Sequence, residues 1–130
     1  MFEVESYSHL LEYLGGISRV MIGGRPGVGK STLGQSLCGD LALPLFHTDD
    51  FLDIGFRVRP DYLRERFSGL GSYIIEGCDA SRLACSGMIP EVMVWVERDV
   101  ATRVEHRGIA RTVINSLLSY PAEIISYRIT

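Results

Sequence analysis

Lysine is nearly absent from this chain: the thirteen basic residues divide into twelve arginines and one lysine, Lys30. Sixteen acidic residues outweigh them, for a formal charge of −3. No broad basic field is therefore available to hold a nucleic-acid backbone over many phosphates. Long apolar runs are missing too. Nothing approaches the roughly eighteen residues of a membrane span, and the opening "MFEVESYSHLLEYL" is acidic where a secretory leader would be basic. A soluble, cytoplasmic protein without a membrane partner is expected. Cysteine and histidine are scarce. Cys38, Cys78 and Cys85 form no C-x-x-C pair, and His9, His47 and His106 lie at no metal-ligand spacing. That argues against a structural zinc site and for reduced, mostly buried thiols. With no second lysine, the guanine-reading motif N-K-x-D cannot occur, which excludes a Ras-like GTP switch. Internal repeats, low-complexity tracts and linkers are also missing, and 130 residues at 46% apolar content suit a single domain spanning 1–130.

What is present is alternation. "SYSHLLEYLGG" has a serine cap, leucines at helical spacing and a double-glycine stop, so a short opening helix is predicted. "ISRVMIGG" predicts a strand, "GKSTLGQSLCGDLA" a helix in which Gly34 is a tolerated weakness, and "LPLFH" a second strand. "RPDYLRERFSGLG" predicts a helix with proline in its first turn, and "SYIIEG" and "EVMVWVER" two further strands, with Trp95 in the core. From Asp99 to Tyr127 the pattern is mostly helical, broken near Gly108 and before Pro121, with "EIISYRI" the one segment that also reads as a strand. Strands apolar on both faces and separated by helices indicate an α/β fold, a three-layer sandwich around a mostly parallel sheet of four to five strands.

Between the first predicted strand and the helix after it lies "GRPGVGKST", which satisfies G-x-x-x-x-G-K-[ST] through Gly24, Gly29, Lys30 and Ser31, with Thr32 following. Glycines allow a loop whose amide groups converge on a phosphate, and the helix start adds the positive end of its dipole. Arg25, Pro26, Gly27 and Val28 complete that loop. A compact ammonium on a flexible stem reaches between β- and γ-phosphates where the planar fork of arginine would not fit. Ser31 is the natural Mg²⁺ ligand, and Thr32 lies near the α-phosphate.

Just past the second strand stand Asp49 and Asp50. Phosphoryl transfer to an alcohol needs one carboxylate to orient the hydroxyl and accept its proton, and another acidic group to hold the water shell of the metal. A vicinal acidic pair also suits a solvated turn or a helix cap. Glu76 ends the third strand at the carboxyl edge of the sheet, where ligands of open α/β folds gather; it would hold Mg²⁺ through water or meet the substrate. Arg82 would face either the acceptor or solvent.

These segments resemble the small-metabolite and nucleoside kinases of the nucleoside-monophosphate-kinase-like superfamily, among them uridine, nicotinamide riboside, shikimate and gluconate kinases. "GRPGVGKST" is similar to their phosphate loop, "HTDDF" to the segment carrying their catalytic base, and "YIIEG" to their third-strand turn, over roughly residues 17 to 112. The resemblance implies a P-loop NTPase fold, Asp49 as base with Asp50 in support, and an arginine-bearing lid over about 98–112. Arg103, Arg107 and Arg111 recur every four residues there, along one face if the segment is helical. In such a lid Arg103 and Arg107 would neutralise charge on the transferred phosphoryl group. Arg57 and Arg59 would lie where these kinases close over the acceptor, facing an anionic or polar substrate. His47 and His106 are read as packing and polar contacts.

The expectation is thus a kinase that uses ATP, with GTP also open, and Mg²⁺ to phosphorylate a hydroxyl of a small metabolite or nucleoside. A regulatory nucleotide-binding ATPase and a polynucleotide 5′-hydroxyl kinase are the competing readings.

Overall fold

In the computed structural model, which describes residues 2–98 and 122–129, six strands carry the sheet. They are β1 (Phe2–Val4), β2 (Arg19–Gly24), β3 (Leu45–His47), β4 (Tyr73–Glu76), β5 (Val92–Arg98) and β6 (Glu123–Ile129). Four helices lie between them: α1 (Tyr7–Leu14), α2 (Lys30–Leu41), α3 (Arg59–Phe67) and α4 (Ala80–Cys85), with a short 3₁₀ turn over Thr48–Phe51. Across the sheet the strands run β1-β6-β5-β2-β4-β3, and all five neighbouring pairs are parallel. This is the expected α/β architecture with a parallel sheet.

The central strands are buried on both faces because helices cover both. On one side Leu10 and Leu14 of α1 and Leu33 and Leu37 of α2 pack on Val20, Ile22, Ile74 and Val94. On the other, Leu63 and Phe67 of α3 and Leu83 of α4 pack on Met21, Ile75 and Met93. Alternate residues of one strand thus feed two cores, the period-2 arrangement a sandwiched sheet requires. Trp95 is buried in β5, against the bare Cα of Gly23. α1 begins where the Ser6 hydroxyl accepts a hydrogen bond from the His9 amide at 3.2 Å, a side-chain cap on an otherwise unsatisfied donor.

The structure corrects the expected sheet size from four or five strands to six. Phe2–Val4 is too short to show a period-2 signal, and among the described residues its one strand partner is β6. Glu123–Ile129 is a strand, so the helical reading fails over 123–127. Ile124, Ile125, Ser126 and Tyr127 are all buried, and a run buried on both faces has no alternation by which to tell strand from helix. α4 is six residues long, below the length at which helical spacing is legible. The expected lid over 98–112, with Arg103, Arg107 and Arg111, lies outside the described residues apart from Arg98. No described helix is long and apolar enough to cross a membrane.

Candidate active site

Parallel register brings the site together. Ile22 of β2 is level with Glu76 of β4, and Glu76 with His47 of β3. Residues level on adjacent strands share a face, so His47 and Glu76 meet at the carboxyl edge, two residues short of the point where β2 gives way to the glycine loop. There Gly24 has φ +153° alongside Val96, and a Cβ on it would lie 2.7 Å from the Val96 carbonyl oxygen. Only glycine fits that approach. Gly29, at φ +103°, turns the chain into α2, whose first amides have no carbonyl one turn earlier to bind.

Lys30 opens α2 and is buried with 7% of its surface exposed. An ammonium has three N–H donors, and all three have acceptors: the Gly24 carbonyl at 3.0 Å, the Arg25 carbonyl at 2.7 Å and Cys78 Sγ at 3.7 Å. The loop therefore folds around its lysine. Val28 anchors the same loop in the core. One residue on, Ser31 Oγ donates to Glu76 Oε1 at 3.2 Å, and His47 Nδ1 contacts that same oxygen. Glu76 is 2% exposed. What lets Ser31 reach it is Gly34, one turn along α2. A Cβ there would meet Leu45 Cδ1 at 3.1 Å and Glu76 Cγ at 3.3 Å, so the residue read as a weakness lets the helix come close to the sheet.

A cavity of about 360 Å³ opens at this edge. Pro26, Gly27 and residues 29–32 of the loop and α2 line it together with Asp49, Glu76 and Cys78. Of the expected residues, Lys30, Ser31, Thr32, Asp49 and Glu76 are brought together around one space. Asp50 is exposed and does not line the cavity. Arg57 is exposed in the loop before α3. Arg59, by contrast, is buried and donates to Asp79 at 2.6 Å and to the Ile54 carbonyl at 3.0 Å. Arg82 donates to Asp79 at 3.1 Å and to the Phe56 carbonyl at 2.8 Å, and stacks on the Phe56 ring. Both arginines thus tie the 52–58 loop to Asp79. Arg103 and Arg107 lie outside the described residues.

Sequence reasoning overlooked Cys78, Asp79 and the His47–Glu76 contact. It also expected mostly buried thiols, whereas Cys78 is exposed and Cys38 and Cys85 are only partly buried. Cys78 directly follows the Glu76-Gly77 turn at the end of β4, a position that commits it to the ligand edge. Gly77 has φ +140°, and a Cβ on it would overlap the Thr48 hydroxyl, so the turn and the Asp49 segment are packed onto each other.

Next to the loop, on the β6 side, a hollow of about 250 Å³ is lined by Tyr7, Thr32, Arg98 and Tyr127, among others. Burial, reinforced by its 2.5 Å hydrogen bond to Asp40, pushes the Tyr7 phenol far above its usual ionisation range. Burial also raises Tyr127. Both rings remain neutral donors at physiological pH.

Among the described residues no three His, Cys, Asp or Glu side chains converge as a metal site of their own. The hydroxyl of Ser31 and the carboxylate of Glu76 are hard oxygen donors facing one cavity, which fits Mg²⁺ completed by phosphate oxygens and water. No model of a known protein family matches the chain, and no curated protein matches it.

Proposed function

We propose that this chain is a P-loop kinase that transfers the γ-phosphate of a magnesium nucleoside triphosphate to a hydroxyl of a small metabolite or nucleoside. One observation carries the reading: Lys30, Ser31, Asp49 and Glu76, drawn from three elements, line a single cavity at the carboxyl edge of a parallel sheet. A glycine-rich turn with a surface lysine would not bury that lysine, nor place a hydrogen-bonded Ser–Glu pair beside it.

In this reading the amides at the start of α2 and the Lys30 ammonium bind the β- and γ-phosphate oxygens, Lys30 exchanging loop carbonyls for phosphate. Ser31 Oγ would hold Mg²⁺ through a lone pair while its own O–H stays directed at Glu76, which would accept from metal-bound water. When bound, Mg²⁺ supplies charge neutralisation on the β- and γ-oxygens. Asp49, which lines the same cavity, orients the acceptor hydroxyl and takes its proton as the oxygen attacks the γ-phosphorus and the bond to the β-phosphate oxygen breaks, releasing nucleoside diphosphate. The nucleoside extends past Gly29 and Thr32 into the hollow between Arg98 and the two tyrosines. Arg103 and Arg107 are the candidates for steadying the transferred phosphoryl group.

The test is transfer from γ-labelled ATP to a pooled panel of nucleosides, sugars, small acids and oligonucleotides. Label appearing in a small hydroxyl compound supports the proposal. Slow hydrolysis with no labelled acceptor would replace it with the regulatory ATPase, and label on oligonucleotides alone with a polynucleotide kinase.

A further inference from the structure

Glu76 poses a packing problem. It is a carboxylate at a strand end, 2% exposed, on a side chain with several rotatable bonds, and a buried charge is tolerated only where hydrogen bonds hold it. Lys30, which lines the same cavity, does not do so: its donors go to Gly24, Arg25 and Cys78. Both hydrogen bonds that Glu76 makes among the described residues fall on Oε1, one from Ser31 and one from His47. The carboxylate accepts, so Nδ1 of His47 carries the proton. With Oε1 held from two sides the carboxyl plane cannot turn. Oε2 makes no hydrogen bond among the described residues, and Glu76 lines the cavity beside the phosphate loop.

We propose that His47 is a positioning residue that locks Oε1 of Glu76, so that Oε2 is presented to the water shell of a nucleotide-bound magnesium ion. This rests on the nucleotide–magnesium reading above and adds to it a residue that the phosphate loop itself does not require. Without the His47 contact only Ser31 restrains the acid, and Ser31 must also serve the metal. The carboxylate would then swing or bind Ser31 with either oxygen, and the metal would lose an oriented partner. Outer-shell groups that orient a metal's partners typically account for about 10- to 100-fold in metal affinity.

The test uses isosteres. Leucine puts a methyl group, and asparagine an amide N–H, the same number of bonds from Cα as Nδ1 of histidine. The affinity of a non-hydrolysable ATP analogue is measured by calorimetry with Mg²⁺ and with EDTA, in wild type, His47→Leu and His47→Asn. Metal-free affinity is expected to stay within about twofold throughout. The gain on adding Mg²⁺ should fall about 10- to 100-fold in His47→Leu and largely return in His47→Asn, whereas mere space filling would favour leucine. An undiminished gain in His47→Leu, or no recovery in His47→Asn, overturns the role of His47. If His47→Leu does not fold, His47→Gln, whose amide lies one carbon too far, takes its place and must lose the gain that His47→Asn keeps. If wild type binds no nucleotide, or binds it equally well as Lys30→Ala, the nucleotide reading falls, and this inference with it.

Discussion

Position 30 is filled by the chain's only lysine, and three acceptors converge there on its single nitrogen. The ammonium touches two loop carbonyls and a sulfur within 3.7 Å, and a guanidinium would force the carbonyls of Gly24 and Arg25 apart. Lys30→Arg is therefore expected to weaken triphosphate binding despite keeping the charge, and Lys30→Ala to weaken it by roughly 10- to 100-fold, the scale of one or two charge-assisted hydrogen bonds. Titration of a fluorescent ATP analogue checks both; arginine binding as well as lysine would refute the steric argument. Asp49 answers to a different measurement. Asp49→Asn should leave that titration unchanged while transfer to the acceptor drops at least about a hundredfold, and unimpaired transfer would remove Asp49 as the base. Lys30, Ser31 and Asp49 were legible because short motifs encode local chemistry. His47–Glu76 was not, since that pairing depends on strand register across twenty-nine residues, which no local pattern reports.

Elements were legible in proportion to their length and amphipathicity. α1, with its serine cap and two buried leucines, and the strands before and after the glycine loop follow directly from spacing and composition. α4 and β1 are too short for any period to emerge. β6, buried on both faces, is a strand because β5 accepts it along its whole length, from Val92 to Arg98, and pairing of that kind is a property of two segments together. Gly34 shows the same limit from the other direction. By propensity alone glycine weakens a helix interior, yet in α2 it sets the distance to Leu45 and Glu76. Gly34→Leu should cost about 1–3 kcal/mol through overpacking and push Ser31 away from Glu76. A lower urea midpoint together with a reduced magnesium gain in nucleotide affinity is expected. Unchanged stability and binding would mean that α2 has slack.

For the molecule as a whole, the tyrosines set an alkaline limit. Burial pushes the Tyr73 phenol up to about 12 and Tyr7 higher still, whereas unfolded tyrosine ionises near 10. Their contribution to stability is complete below about pH 10. Above it the unfolded chain releases phenolic protons that the folded chain keeps, so stability falls as pH climbs toward about 12. Urea midpoints at about pH 9, 10 and 11 should decline slightly across the lower step and more steeply across the upper one, and a flat series would show these phenols to be less enclosed than the fold indicates. Sheet order carries a consequence of another kind. Among the described strands β1 pairs only with β6, although residues 4 and 123 lie far apart along the chain. Until residues 123–129 emerge, one edge of the nascent sheet must wait open, with β5 offering its unpaired backbone to any passing strand. Closing so long a loop is slow, which leaves that edge of β5 open to mispairing until β6 docks.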